Sequence, residues 1–152
     1  MTTTFIEPTL ENILVYLNKL EDQTIPEWGT MSSQRMVEHL SESLSMSIGE
    51  GNFNLAIPEE KIQGMQNFLF GEKLMAKNIQ VDFAPEHCQL RNESLELAID
   101  EFCEKWVDFE SCYDENPNMS AIHPYYGDLD FKGWLRLHSK HFTHHFLQFN
   151  LL

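Results

Sequence analysis

Apolar residues recur at helical spacing in four stretches of the chain. After Pro8, a residue suited to a helix start, Leu10, Ile13, Leu14, Leu17 and Leu20 predict a first helix over 9–20. The segment EDQTIPEWGTMSS breaks this period with Pro26 and Gly29 and then offers Ser32 or Ser33 as the N-cap of a second helix, which runs to about Ile48. Its inner stripe contains Met36, Leu40, Leu44 and Ser47, with Val37 on one edge and His39 on the other, pointing inward or along an interface. Asn92 is the expected cap of a strongly periodic third helix with Leu95, Ala98, Ile99, Phe102, Trp106, Phe109 and Tyr113 on one face, ending before Pro117. Asp130 is the expected cap of the last helix, whose stripe runs through Phe131, Trp134, Leu135, His138, His141, Phe142, His145, Phe146 and Phe149.

Between the second and third helices the period weakens. GEGNFN reads as a loop, PEEKIQGMQNFLF as a short amphipathic helix starting at Pro58, and NIQVDFAPEHCQL as irregular or extended, with His87 exposed. So long a connection is more than a tight antiparallel turn needs, and it lets the second and third helices run parallel. The linker NPNMSAIHPYYGDLD, with Pro117, Pro124 and Gly127, is short enough to turn the last helix back, antiparallel to the second. The expected fold is an all-α four-helix bundle in one domain, 1–152. His39 lies about 10 Å along the second helix and His145 a similar distance from the chain end, so antiparallel packing brings them to one level.

At 152 residues and 42% hydrophobic content the chain suits one substantial core. Ten basic against 24 acidic residues give a formal charge of −14, which opposes attraction to nucleic-acid phosphates or anionic membranes. No signal peptide or membrane-spanning run is read, so a cytoplasmic location is expected. Cys88, Cys103 and Cys112 are an odd set without CxxC spacing and suit reduced thiols, with Cys103 and Cys112 packed in a helix. Nothing in the sequence fixes the oligomeric state, and a homodimer stays open.

The last stretch carries the candidate chemistry, with four of the seven histidines between Phe131 and Phe149. His141 and His145 stand four apart, on adjacent turns, where two imidazoles converge on one point as helix-borne metal ligands do. A single buried histidine is more often a core residue satisfied by hydrogen bonds. Three on one apolar stripe need more explanation, because each ring brings a donor and an acceptor that both require partners. His138 lies one turn earlier on the same face. His144 sits roughly 100° round from His145 and is expected at solvent or a helix boundary. An HxxxH pair without the glutamate of HExxH needs a third ligand from elsewhere. Glu38 precedes His39 but points about 100° away on the helix and receives no role as a base.

Three blocks, WGTMSSQRMVEHLSESL, HPYYGDLDFKGW and LHSKHFTHHFLQF, taken in this order and spacing, resemble the DinB-like or YfiT-like superfamily of metal-dependent four-helix proteins, in particular a bacterial branch of unassigned function. The resemblance covers nearly the whole chain. It implies up-down-down-up connectivity and a divalent metal, Zn, Ni or similar, held by His39, His141 and His145. It also points to thiol-dependent transfer with a low-molecular-weight thiol, although fold transfers more safely than activity. His138 and His144 are histidines beyond that ligand set. His123 in the linker either approaches the mouth of the bundle or is structural, and Gln148 either orients a ligand or faces solvent.

Two functions follow. In the first, three neutral histidines hold the ion, leave a position open, and support hydrolysis or thiol transfer on a small molecule, within aromatic walls of Trp134, Phe142 and Trp106. In the second, the chain is a non-catalytic, stress-linked binding or interaction protein whose cluster is vestigial or holds a structural metal.

Overall fold

The computed structural model describes residues 5–152. The protein is mostly α-helical, with five helices and one small antiparallel sheet among these residues. They are α1 (Leu10–Leu17), α2 (Ser33–Ser47), α3 (Ile62–Phe70), α4 (Leu95–Glu115), β1 (Ala121–His123), β2 (Gly127–Leu129) and α5 (Phe131–Gln148), with a 3-10 turn at Glu59–Lys61 before α3.

Four of the helices begin where a short polar side chain accepts from a backbone N–H of the first turn: Thr9 from Asn12, Ser32 from Arg35, Ser94 from Leu97 and Asp130 from Gly133. Two boundaries differ from the sequence expectation. The first helix stops at Leu17 because the chain bends immediately after it, through Lys19 N–H to Tyr16 and Leu20 N–H to Leu17, although Leu20 is still buried. The cap of α4 is Ser94 and not Asn92, whose backbone N–H and side-chain amide both donate to Glu38 at 3.0 and 3.1 Å.

The periodic stripes become the core. Met36, Leu40, Leu44 and Ser47 of α2 are buried, as are Leu95, Ala98, Phe102, Trp106, Phe109 and Tyr113 of α4. Each large apolar side chain removed from water contributes about 1.5–3 kcal/mol, and the aromatic rows of α4 and α5 face one another within the one shared core. Phe102 and Phe142, and Phe109 and Phe131, meet at ring-centroid distances of 5.6 and 5.3 Å.

Polar ties fix how the helices lie on one another. Near its beginning, α2 is bound to the segment entering α4 through Gln34 Nε2 to the Asn92 carbonyl at 2.7 Å and through Glu38 to Arg91 and Asn92. Near the ends of the same two helices, Tyr113 donates to the Ser47 carbonyl at 2.6 Å. The N-terminal segment is held to α5 by Ile6 N–H to Thr143 Oγ1 at 2.9 Å, and further along Lys19 Nζ reaches the Leu151 carbonyl. Just before α2, the Glu27 N–H donates to the carbonyl of Gln148 at the end of α5.

The linker before α5 holds a two-stranded hairpin that the sequence expectation lacked. Ala121 pairs with Leu129 and His123 with Gly127. Gly127 sits at φ +79°, and a Cβ there would meet Ile62 Cγ2 of α3 at 3.0 Å, so both the turn and the close approach require glycine. The hairpin is pinned to α5 by Trp134 Nε1 donating to the Ala121 carbonyl at 3.2 Å.

Candidate metal centre

α2 and α5 bring His39, His141 and His145 together. His141 Nε2 lies 2.9 Å from His39 Nε2 and 3.0 Å from His145 Nε2, and the three rings meet edge to face with centroids 4.7 to 4.9 Å apart. These residues are close enough to hold a metal ion.

The protonation states are set by the surroundings. Burial lowers all three imidazoles, His39 to about 4 and His141 and His145 well below their ordinary value, with Arg35 adding to the effect at His39 and the neighbouring histidines at His141 and His145. Neutral imidazole is the ligating form. Gln148 fixes the tautomer of His145: its Nε2 donates to the Trp28 carbonyl at 3.1 Å, which turns Oε1 toward His145 Nδ1 at 2.7 Å. Nδ1 must therefore carry the proton, and the lone pair of Nε2 faces the cluster. The sequence left Gln148 between a solvated face and an orienting role; it is buried and orients.

The donor set fits a cation. Three close nitrogens can share at most a few protons, and any pair left lone pair to lone pair repels until a positive charge sits between them. A tetrahedral ion at about 2.1 Å from each nitrogen sets N···N separations of about 3.4 Å, so His39 and His145 each need to part from His141 by only about half an ångström. Three protein ligands would leave a tetrahedral ion one position open, and the three histidines line a cavity of about 440 Å³.

The other candidate residues fall outside the cluster. His138 is fully buried one turn away, in a cage of Trp106, Phe109, Trp134 and Phe142, with neither ring nitrogen hydrogen-bonded; burial lowers it to about 3. His123 lines the cavity, but its Nδ1 accepts from the Tyr125 N–H at 3.0 Å, so it shapes the hairpin turn. His144, expected at solvent or a helix boundary, is half-buried on the cavity wall, edge-on to Trp28 and hydrogen-bonded to the Met75 backbone. Of the three expected aromatic walls, Trp134 lines the cavity, while Trp106 and Phe142 lie in the core. His87 is exposed as expected, with Nε2 against Thr30 Oγ1 at 2.7 Å.

No family model, curated protein or solved structure matches the chain.

Sequence reasoning missed the carboxylates behind His39. Glu38 is fully buried, and although burial alone would raise it, hydrogen bonds from the Arg91 N–H, Gln34 and Asn92 keep it ionised below the ordinary carboxylate range. It thereby anchors the residue next to His39. Glu42, one turn on, lines the cavity and is likewise held low, burial being outweighed by Arg35 and Arg91. Arg35 lies two turns before Glu42 on the same face of α2, a spacing that helical periodicity could have shown, whereas Arg91 lies in the aperiodic crossover, where no pattern reveals it. No helix among the described residues is long and apolar enough to cross a membrane.

Proposed function

We propose that the chain is a DinB-like, divalent-metal-dependent enzyme of the thiol-transferase or hydrolase type, with His39, His141 and His145 as ligands. The observation that carries this is the convergence of three neutral Nε2 atoms at the floor of a cavity. A structural site closes all four positions with protein ligands; here three converge beside a cavity, which would leave an ion held by them a position for substrate. The up-down-down-up connectivity implied by the family resemblance belongs to the same proposal. It is supported by the ties of α2 to α4 at both ends in the same sense, by the tie of α2's beginning to α5's end, and by Ile6 and Lys19 following α5 in its own direction.

When bound, the cation would supply Lewis acidity, drawing charge from an oxygen or sulfur donor so that hydroxide or thiolate becomes accessible near neutral pH. The chain does the rest. Gln148 keeps His145 in the ligating tautomer, and Glu38 fixes the turn of α2 that carries His39. Glu42, anionic and tied to Arg35 and Arg91, stands near His39 with its charge already paired. With its proton affinity lowered by that pairing it is a poor base, so proton removal falls to solvent or to the substrate's own group. The apolar walls exclude water and strengthen each of these electrostatic effects.

The test is a screen of zinc- or nickel-loaded protein with electrophiles and low-molecular-weight thiols, and separately with simple amides and esters, beside His145→Ala. Turnover that needs the metal and disappears in a folded His145→Ala variant supports the proposal. Equal background rates in both proteins, across a metal-loaded screen, oppose catalysis and favour a binding protein.

A further inference from the structure

The walls of the cavity above the histidines define what can enter it. Four of the chain's seven methionines line it, Met31, Met46, Met65 and Met75. Met31 comes from the segment before α2, Met46 from α2, Met65 from α3 and Met75 from the crossover, so the accumulation is a property of the site and not of one helix stripe. Unbranched, polarizable thioethers adapt to ligands of varied shape. Trp28, Phe53 and Phe83 complete the apolar surface.

Charge in the cavity is one-sided. Glu42 and Glu86 are the charged residues among those lining it, with no lysine or arginine. Both carboxylates are committed: Glu42 to Arg35 and Arg91, Glu86 to Thr30 and Gln80. Neither is free to pair with a ligand cation, and Glu86, whose partners are neutral, repels a ligand anion, as does the chain's charge of −14. The basic groups behind the wall are engaged: Arg35 is paired with Glu42, Lys140 donates to the Phe68 and Gly71 carbonyls, and exposed Lys77 holds its ammonium 4.4 Å from the centroid of the Trp28 ring. An anionic group drawn into this cavity would lose its water without gaining a partner.

We propose that this cavity binds a small molecule with an uncharged, apolar body, an alkyl or aryl chain that fits about 440 Å³, carrying a single oxygen or sulfur donor toward His39, His141 and His145. The donor's role rests on the metal reading above; the preference for an uncharged body rests on the walls alone. The proposal narrows the substrate: a thiol bearing carboxylates along its body is disfavoured, and an apolar thiol, alcohol, ester or amide is favoured.

The test uses two fluorescent probes with the same rings, N-phenyl-1-naphthylamine, which is neutral, and 8-anilino-1-naphthalenesulfonate, which carries a sulfonate. Each is titrated into the full chain, once after chelator treatment and once after zinc loading. In the chelator-treated protein the neutral probe is expected to bind one per chain, with a Kd lower than that of the sulfonate by on the order of tenfold or more. Octanol should displace it and octanoate should not. Ile79→Lys, at an exposed wall position that tolerates substitution, should narrow the preference by adding the missing cation. Equal or tighter binding of the sulfonate by chelator-treated wild type, or displacement by octanoate as readily as by octanol, would overturn the proposal. Metal uptake is measured in the same samples, so the two readings fail separately. Neutral-probe preference without zinc uptake removes the metal and keeps this site, whereas zinc uptake without the preference does the reverse.

Discussion

Gln148→Leu separates a metal centre from a merely compact histidine cluster. In the wild type, Gln148 is buried, accepts from His145 Nδ1 at 2.7 Å and donates to the Trp28 carbonyl at 3.1 Å. Leucine, one heavy atom smaller, keeps an apolar side chain in the space and removes both bonds. The neutral ring of His145 then either keeps its proton on a partnerless Nδ1 or moves it to Nε2, the atom that faces His141. The first choice leaves a buried donor unsatisfied, at about 1–3 kcal/mol, and the second blocks ligation. Loss of such an orienting partner weakens metal affinity by about 10- to 100-fold, equivalent to about 1.4–2.7 kcal/mol. Gln148→Glu, which keeps an acceptor toward Nδ1, should retain most of the affinity. Zinc affinity is read by competition with a chromophoric chelator, and urea unfolding of metal-free protein reports any loss of fold separately. Wild-type zinc affinity in Gln148→Leu would refute the reasoning, since His145 would then bind without the partner said to fix its tautomer.

Two further substitutions test the surroundings. Glu38→Ala strips the acceptor from the Arg91 and Asn92 N–H groups, which Glu38 meets at 2.9 and 3.0 Å, and should cost about 2–4 kcal/mol in urea unfolding. Because the folded Glu38 is held below its unfolded value, its contribution is present above the ordinary carboxylate range and is lost as pH falls through the folded value; a wild type whose stability is flat across that window would contradict this. His138→Leu should leave zinc stoichiometry unchanged and hold or raise stability by about 1–2 kcal/mol, since it removes a buried ring with two unpartnered nitrogens. His138 is lowered to about 3, so the unfolded chain binds the extra proton between there and about 6.5, and wild-type stability falls as pH drops across that window. The variant should show a shallower fall, and an unchanged slope, or loss of zinc, would count against the assignment.

What the sequence disclosed and what it hid divide along physical lines. The stripes of α2, α4 and α5 were legible because a helix face that buries aromatic and aliphatic residues must repeat every three to four positions, and each runs long enough to show it. The same period put His141 and His145 on adjacent turns. Placing His39 beside them needed only the relative direction of two helices. The hairpin was hidden because three residues per strand give no alternation to detect. The start of α4 was misplaced because Asn92 and Ser94 both suit a cap, and the choice is made by Glu38, more than fifty positions away in the chain. The cavity was hidden for a related reason: its phenylalanines come from the crossover, and its methionines from the crossover, from α2 and from the segment before it, residues that meet only after the helices have packed.

The central claim is that His39, His141 and His145 share one divalent ion with a position left open, and visible absorption during Co²⁺ titration of the metal-free full chain addresses it most directly. The account predicts ligand-field bands that saturate at about one equivalent, shift when an alkanethiol is added, and vanish in the His39→Ala, His141→Ala, His145→Ala triple variant while its helical circular dichroism persists. Bands of undiminished strength in that variant, or none in the wild type, would contradict it.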